Sequence, residues 1–100
     1  MENSEIMSRE VKLEIENKNG FFYIKEANEI IAEMTFELSG NNKIKITHTE
    51  VDEAYGGQGF AKAMLEKAVS YARENHLKII PLCSFVKGVL EKNSTYNDVL

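Results

Sequence analysis

The sequence predicts a mixed α/β (α+β) fold: an antiparallel four-strand meander, then a helix, a parallel fifth strand and a short helix. Three observations predict it. Apolar and polar residues alternate with period two through the first half of the chain. Polar turns interrupt that alternation at short intervals. From Ala61 onward the apolar spacing becomes helical.

Each element follows from its own residues. Val11, Leu13 and Ile15 alternate with Lys12, Glu14 and Glu16, which reads as a half-buried strand. Asn17, Lys18, Asn19 and Gly20 mark a turn, and residues 21–26 form an aromatic-rich second strand. A third strand covers residues 30–38, with Ala32, Met34, Phe36 and Leu38 on one face. After the turn at residues 39–42, a fourth strand runs over residues 43–51. Such short connections favour antiparallel neighbours. Ala61, Met64, Leu65, Ala68 and Ala72 then place a helix that ends near Asn75. Residues 77–83 read as a fifth strand carrying Pro81, which belongs at an edge, an end or a bulge. A strand, a helix and a strand in that order make a crossover, so the fifth strand runs parallel to the fourth. Phe85, Val86, Val89 and Leu90 form a short helix with Ser84 as its N-cap, and residues 95–100 read as a tail.

The chain has 100 residues, enough for a single domain over residues 1–100, with residues 1–9 expected to be a loose leader. A content of 43% hydrophobic and 28% charged residues is that of a globular protein. The net charge of −4 argues against a nucleic-acid partner. One cysteine excludes an intrachain disulfide, and two histidines give little basis for a metal site. The polar start carries no apolar signal core, and no apolar run is long enough to span a bilayer. A cytoplasmic location without membrane contact is therefore expected.

The stretch with most chemical content is Gly56, Gly57, Gln58, Gly59, Phe60 and Ala61, between the fourth strand and the long helix. The first N–H groups of a helix have no intrahelical partner and lie at the positive end of its dipole. A phosphate binds well there. A Walker A loop is excluded because no Gly-Lys-Ser/Thr follows. A dinucleotide fingerprint is excluded because its last glycine is replaced by Lys62, and because a meander precedes the turn.

Residues 48–61, from His48 to Ala61, resemble motif A of the GCN5-related N-acetyltransferases. That motif reads Gln/Arg-x-x-Gly-x-Gly/Ala at a strand-to-helix turn. Gly59 and Ala61 match it, whereas Gly56 stands where Gln or Arg is usual. The resemblance is to the compact members of the superfamily and includes the segment from Pro81 to Val86. It implies acetyl-CoA as co-substrate, entering where strands four and five splay apart. Val51 would offer backbone groups to pantetheine, and Gly57, Gln58, Gly59, Phe60, Ala61 and Lys62 would line the phosphates. Larger members carry helices between the first two strands that help build the acceptor site. Here residues 17–20 alone make that connection, so the acceptor site would be open or shared with a partner, as in an oligomer.

Two residues are candidates for the chemistry. Cys83 ends the fifth strand beside the start of a helix, where a thiol ionises more readily and can attack a thioester. It reads equally as a buried, inert cysteine. His48 shares strand parity with Ile44 and Ile46, close to the splay, and can serve as general base or as a satisfied strand histidine. Glu50 and Glu53 can attract a cationic amine, and Tyr96 can fold back as an acid. The leading function is transfer of acetyl from acetyl-CoA to an amine or thiol acceptor, through Cys83 or directly. The alternatives are a non-catalytic CoA-binding module and an interaction protein whose glycine turn binds nothing.

Overall fold

The computed structural model describes residues 10–100, so the leader expected over residues 1–9 lies outside the described residues. Five strands form one sheet in chain order: β1 (Lys12–Glu16), β2 (Asn19–Glu26), β3 (Glu29–Ser39), β4 (Lys43–Val51) and β5 (Lys78–Pro81). The first three pairings are antiparallel and β4–β5 is parallel, as the crossover requires. Helix α1 (Phe60–Glu74) makes that crossover, and helix α2 (Ser84–Lys92) follows β5.

The core forms because one sheet face is apolar. Phe22, Ile24, Met34, Phe36, Ile44 and Ile46 are buried on it. They meet Met64, Leu65, Ala68, Val69 and Ala72, which recur along one stripe of α1. Tyr71 packs its ring edge-on to Phe22 and tilted to Phe36, which fixes the helix over β2 and β3. Gly20 lies beneath Phe36. A Cβ there would stand 2.6 Å from both the Phe36 ring and the Glu14 carbonyl oxygen, so only glycine fits this crossing.

Four sequence expectations are corrected. β1 is exposed throughout rather than half-buried, because it lies at the edge beyond α1, which packs on β2, β3, β4 and β5. β5 is four residues long and stops at Pro81, because the next two amides turn out of the ladder. Cys83, not Ser84, is the N-cap of α2, with its carbonyl accepting from the Lys87 N–H at 2.9 Å. The expected tail is a 3-10 turn (Ser94–Val99) with Tyr96 and Val99 buried. Asn93 caps it, accepting from the Thr95 N–H at 3.0 Å. Arg73 at the end of α1 holds the turn by a two-pronged hydrogen bond to Asp98, at 2.9 and 3.0 Å. The Lys78 ammonium donates to the Asp98 carbonyl at 2.8 Å.

The Gly20 crossing gives a stability test. Gly20→Ala drives a methyl into the Phe36 ring and a backbone oxygen, and over-packing of this kind costs about 1–3 kcal/mol. Chemical denaturation should show the lower midpoint with an unchanged slope.

Candidate functional site

The site begins where two strands part. β4 and β5 stay paired from Lys43↔Lys78 to Ile46↔Pro81. Beyond that point β4 runs on to Val51, while β5 has ended. The Leu82 and Cys83 N–H groups both donate to the Ile46 carbonyl, each at 3.1 Å, and carry the chain away from β4. The result is a wedge with β4 residues 47–51 on one side and the start of α2 on the other. Leu82 and Phe85 sit exposed beside it.

The far end of β4 leads into the glycine turn. The Asp52 N–H donates to the Ile31 carbonyl at 2.8 Å, and its carboxylate accepts from the Ala54 N–H at 3.2 Å. That cap starts a 3-10 turn (Glu53–Tyr55). Gly57 and Gly59 follow with φ of +77° and +82°, a region L-residues with a side chain enter only at a cost. An added Cβ at either glycine would meet no protein atom within 4 Å, so the glycines are required by backbone conformation and leave the space above them open. Gly56, with φ of −66°, has no such requirement. Gly59 is the N-cap of α1 and has no side chain to cap with. The first intrahelical bond is Ala63 N–H to the Gly59 carbonyl at 3.0 Å, so the amides of Phe60, Ala61 and Lys62 fall in the helix's first turn. That turn contains no acidic residue. Gly57, Gln58, Gly59 and Lys62 are exposed, Ala61 is half-buried and Phe60 is buried against the core. The Lys62 ammonium lies 3.7 Å from Glu66, a contact exposed enough to rearrange.

Cys83 is half-buried at the apex of the wedge. Its thiol donates to the Thr49 hydroxyl at 3.3 Å. Burial pushes the thiol pKa up, but Thr49 and the backbone N–H groups of Val86, Phe85 and Thr49 outweigh it, and the thiol is held below its ordinary value. The helix N-terminus thus favours the thiolate.

His48 is not the residue beside Cys83. A β-bulge shifts the β3–β4 register: Thr35 pairs with His48 but Phe36 pairs with Ile46, leaving Thr47 as the extra residue. The bulge reverses the parity of the strand. Ile44 and Ile46 face the core, and so does Thr49, whereas Thr47 and His48 share the opposite face. The parity expected for His48 is therefore corrected. The imidazole is exposed, with Nε2 at 3.6 Å from the Glu50 carboxylate. Thr49 is the residue that sequence reasoning misses, because nothing in the residue types marks a bulge. Tyr96 does not fold over the site. Its turn is fastened to Arg73 and Lys78, at the opposite end of α1 from the glycine turn, about 20 Å away along the helix.

Beside the other flank of the β4 end, a cleft of about 510 Å³ is lined by Ile30, Glu33, Glu50, Val51, Asp52 and Glu53. Glu33 and Glu50 are cross-strand partners, so like charges stand opposite each other at its rim. Among the described residues no helix is long and apolar enough to cross a membrane.

A meander, a splayed parallel pair and a glycine turn at a helix start define an acyl-CoA-type acetyltransferase fold, and the comparisons place the chain within it. The family described as GCN5-related N-acetyl-transferase matches residues 21–99. The chain belongs to that family. A GCN5-like protein from Staphylococcus aureus, solved in solution, is 44% identical with a TM-score of 0.71, over 92% of this chain and 87% of that one. A ribosomal-protein-alanine N-acetyltransferase from Brucella melitensis shares the fold at 15% identity and a TM-score of 0.63, over 77% of this chain and 62% of that one. Protein NATD1 of Gallus gallus is 31% identical over 62 residues, which are 62% of this chain. The match spans only 56% of that relative's length. The Danio rerio protein of the same name is 27% identical, over 87% of this chain and 80% of its own.

The thiol environment is testable. Alkylation of Cys83 by iodoacetamide should show a pH midpoint below that of a free cysteine. Thr49→Val removes a hydrogen bond that holds the thiolate, so the midpoint should move up and the rate at pH 7 should fall. An unmoved midpoint would show that Thr49 does not hold the thiolate.

Proposed function

We propose that this chain transfers an acetyl group from acetyl-CoA to an amine, with Cys83 as the residue that receives the acetyl group first. The observation that carries the reading is the wedge: a length of β4 with no β5 partner, beside a thiol held at a helix N-terminus. The pantetheine arm would lie along the free edge of β4, where Val51 offers backbone groups. The pyrophosphate would rest on the amides of residues 57–62, with Lys62 adding positive charge.

The chemistry follows from the neighbours of Cys83. The thiolate attacks the thioester carbonyl carbon, the bond to the CoA sulfur breaks, and CoA leaves as a thiolate that takes up a proton. An amine then attacks the acetyl-cysteine, the bond to Cys83 breaks, and the amine proton passes to a base. Holding the thioester beside its acceptor supplies much of the rate. Donor N–H groups at the start of α2 favour a negative oxygen on the tetrahedral carbon. The acidic cleft between Glu33 and Glu53 suits an acceptor that arrives as an ammonium ion. His48 and Glu50, on the outer face at the end of β4, are the groups proposed to accept its proton.

Intact mass spectrometry tests the covalent route. Wild type incubated with acetyl-CoA should gain one acetyl mass, and Cys83→Ala should gain none. Normal turnover in Cys83→Ala would remove the thiol from the mechanism and leave direct transfer. An acetyl-CoA thermal shift without turnover on any amine would support the binding-only alternative.

The phosphate position has its own test. Gly59→Val forces a branched side chain to φ of +82° and fills the open space above the turn, so CoA affinity should fall by at least about tenfold. Gly56→Ala, at an ordinary φ, should leave it unchanged. Equal affinities in isothermal titration would place the pyrophosphate elsewhere.

A further inference from the structure

The two edges of the sheet are unequal. β5 is four residues long and ends at Pro81, which has no N–H to offer another strand. β1 carries charge, from Lys12, Glu14 and Glu16, but no proline. It is five residues long and keeps a regular register with β2. Among the described residues no strand pairs with its outer side. A strand edge left in this state is a template for another strand.

The side chains of β1 specify which strand fits. Lys12, Glu14 and Glu16 share one face with Phe21 and Tyr23, and Leu13 and Ile15 share the face that carries Phe22. Leu13 and Ile15 are 37% and 41% exposed at the margin of the apolar face. Consider a second copy of Lys12–Glu16 laid antiparallel about a two-fold axis at Glu14. Lys12 of each chain then meets Glu16 of the other, and Leu13 of each meets Ile15 of the other. The two Glu14 side chains meet at the axis, where each carboxylate already accepts from its own Tyr23 hydroxyl at 3.0 Å. Moving the axis to Ile15 sets Glu14 against Glu16. Moving it to Leu13 keeps Lys12 against Glu14 but sets Glu10 against Glu16, where the Glu14 axis sets Glu10 against Lys18. Charge therefore selects one register.

We propose that β1 is a homotypic interface through which two copies of this chain join edge to edge into one continuous sheet. The interface covers Leu13 and Ile15 and lies at the opposite edge from the β4–β5 wedge, so both wedges stay open. Five residues of edge make a small interface, so association depends strongly on concentration.

Sedimentation equilibrium of the full chain tests this. The mass should rise with concentration from 11.4 kDa toward twice that value. Lys12→Glu and Glu16→Lys each turn two attractive cross-strand contacts into repulsive ones, and each should weaken association on the order of tenfold. The combined Lys12→Glu/Glu16→Lys chain restores opposite charges and should recover wild-type association. Far-UV circular dichroism and the urea midpoint establish that each variant is folded. A constant monomer up to roughly 1 mM would overturn the proposal. So would a dimer that ignores both single substitutions, or a double variant that stays dissociated.

Discussion

One acceptor atom organises the functional end of this molecule. The Ile46 carbonyl takes hydrogen bonds from both Leu82 and Cys83, and in doing so ends the parallel ladder. A ladder that continued would pair β5 along the rest of β4 and close the wedge. Stopping it leaves β4 backbone open from Thr47 to Val51 and delivers Cys83 to the first turn of α2. The proline at the end of β5 supports the same break, since Pro81 cannot donate to a ladder. Site and fold thus share a cause.

The rest of the architecture holds that break in place. Tyr71 wedged against Phe22 and Phe36 fixes α1 over the sheet, which in turn fixes where its N-terminus points. At the other end, Arg73 and Lys78 tie the last 3-10 turn to the helix and to β5. Asp98 is held below the usual carboxylate range by the Arg73 hydrogen bond. Its contribution is therefore present at neutral pH and is lost as pH falls through the lowered value. Gly57 and Gly59 connect the two halves by conformations other residues resist.

Much of this was legible in the sequence. The strands, the long helix and the glycine turn are written in local periodicity and turn chemistry, which depend on neighbouring residues alone. What was not legible depends on partners distant in sequence. Strand alternation implied that β1 would be half-buried, but alternation records which faces differ, not whether a helix covers one of them. Tyr96 and Val99 looked like a tail because their burial comes from α1 and β5. The placement of Cys83 near a helix start was readable, whereas its Thr49 partner was not. Parity counted from Ile46 points to His48, and a single unpaired residue at Thr47 reverses that count.

That bulge has an evolutionary consequence. Because strand faces alternate, the side chain beside Cys83 is set by whether the strand bulges between that residue and Ile46. Loss of Thr47 would remove the bulge and leave the present His48 outward and the present Thr49 at the thiol. Regular pairing through Thr47, His48 and Thr49 would instead bring His48 to the thiol and turn Thr49 outward. The presence of the bulge, rather than the residue types alone, therefore separates a hydroxyl-supported thiol from a cysteine–histidine pair. Relatives that pair this strand without the bulge need not share the same chemistry, however well their glycine turns align.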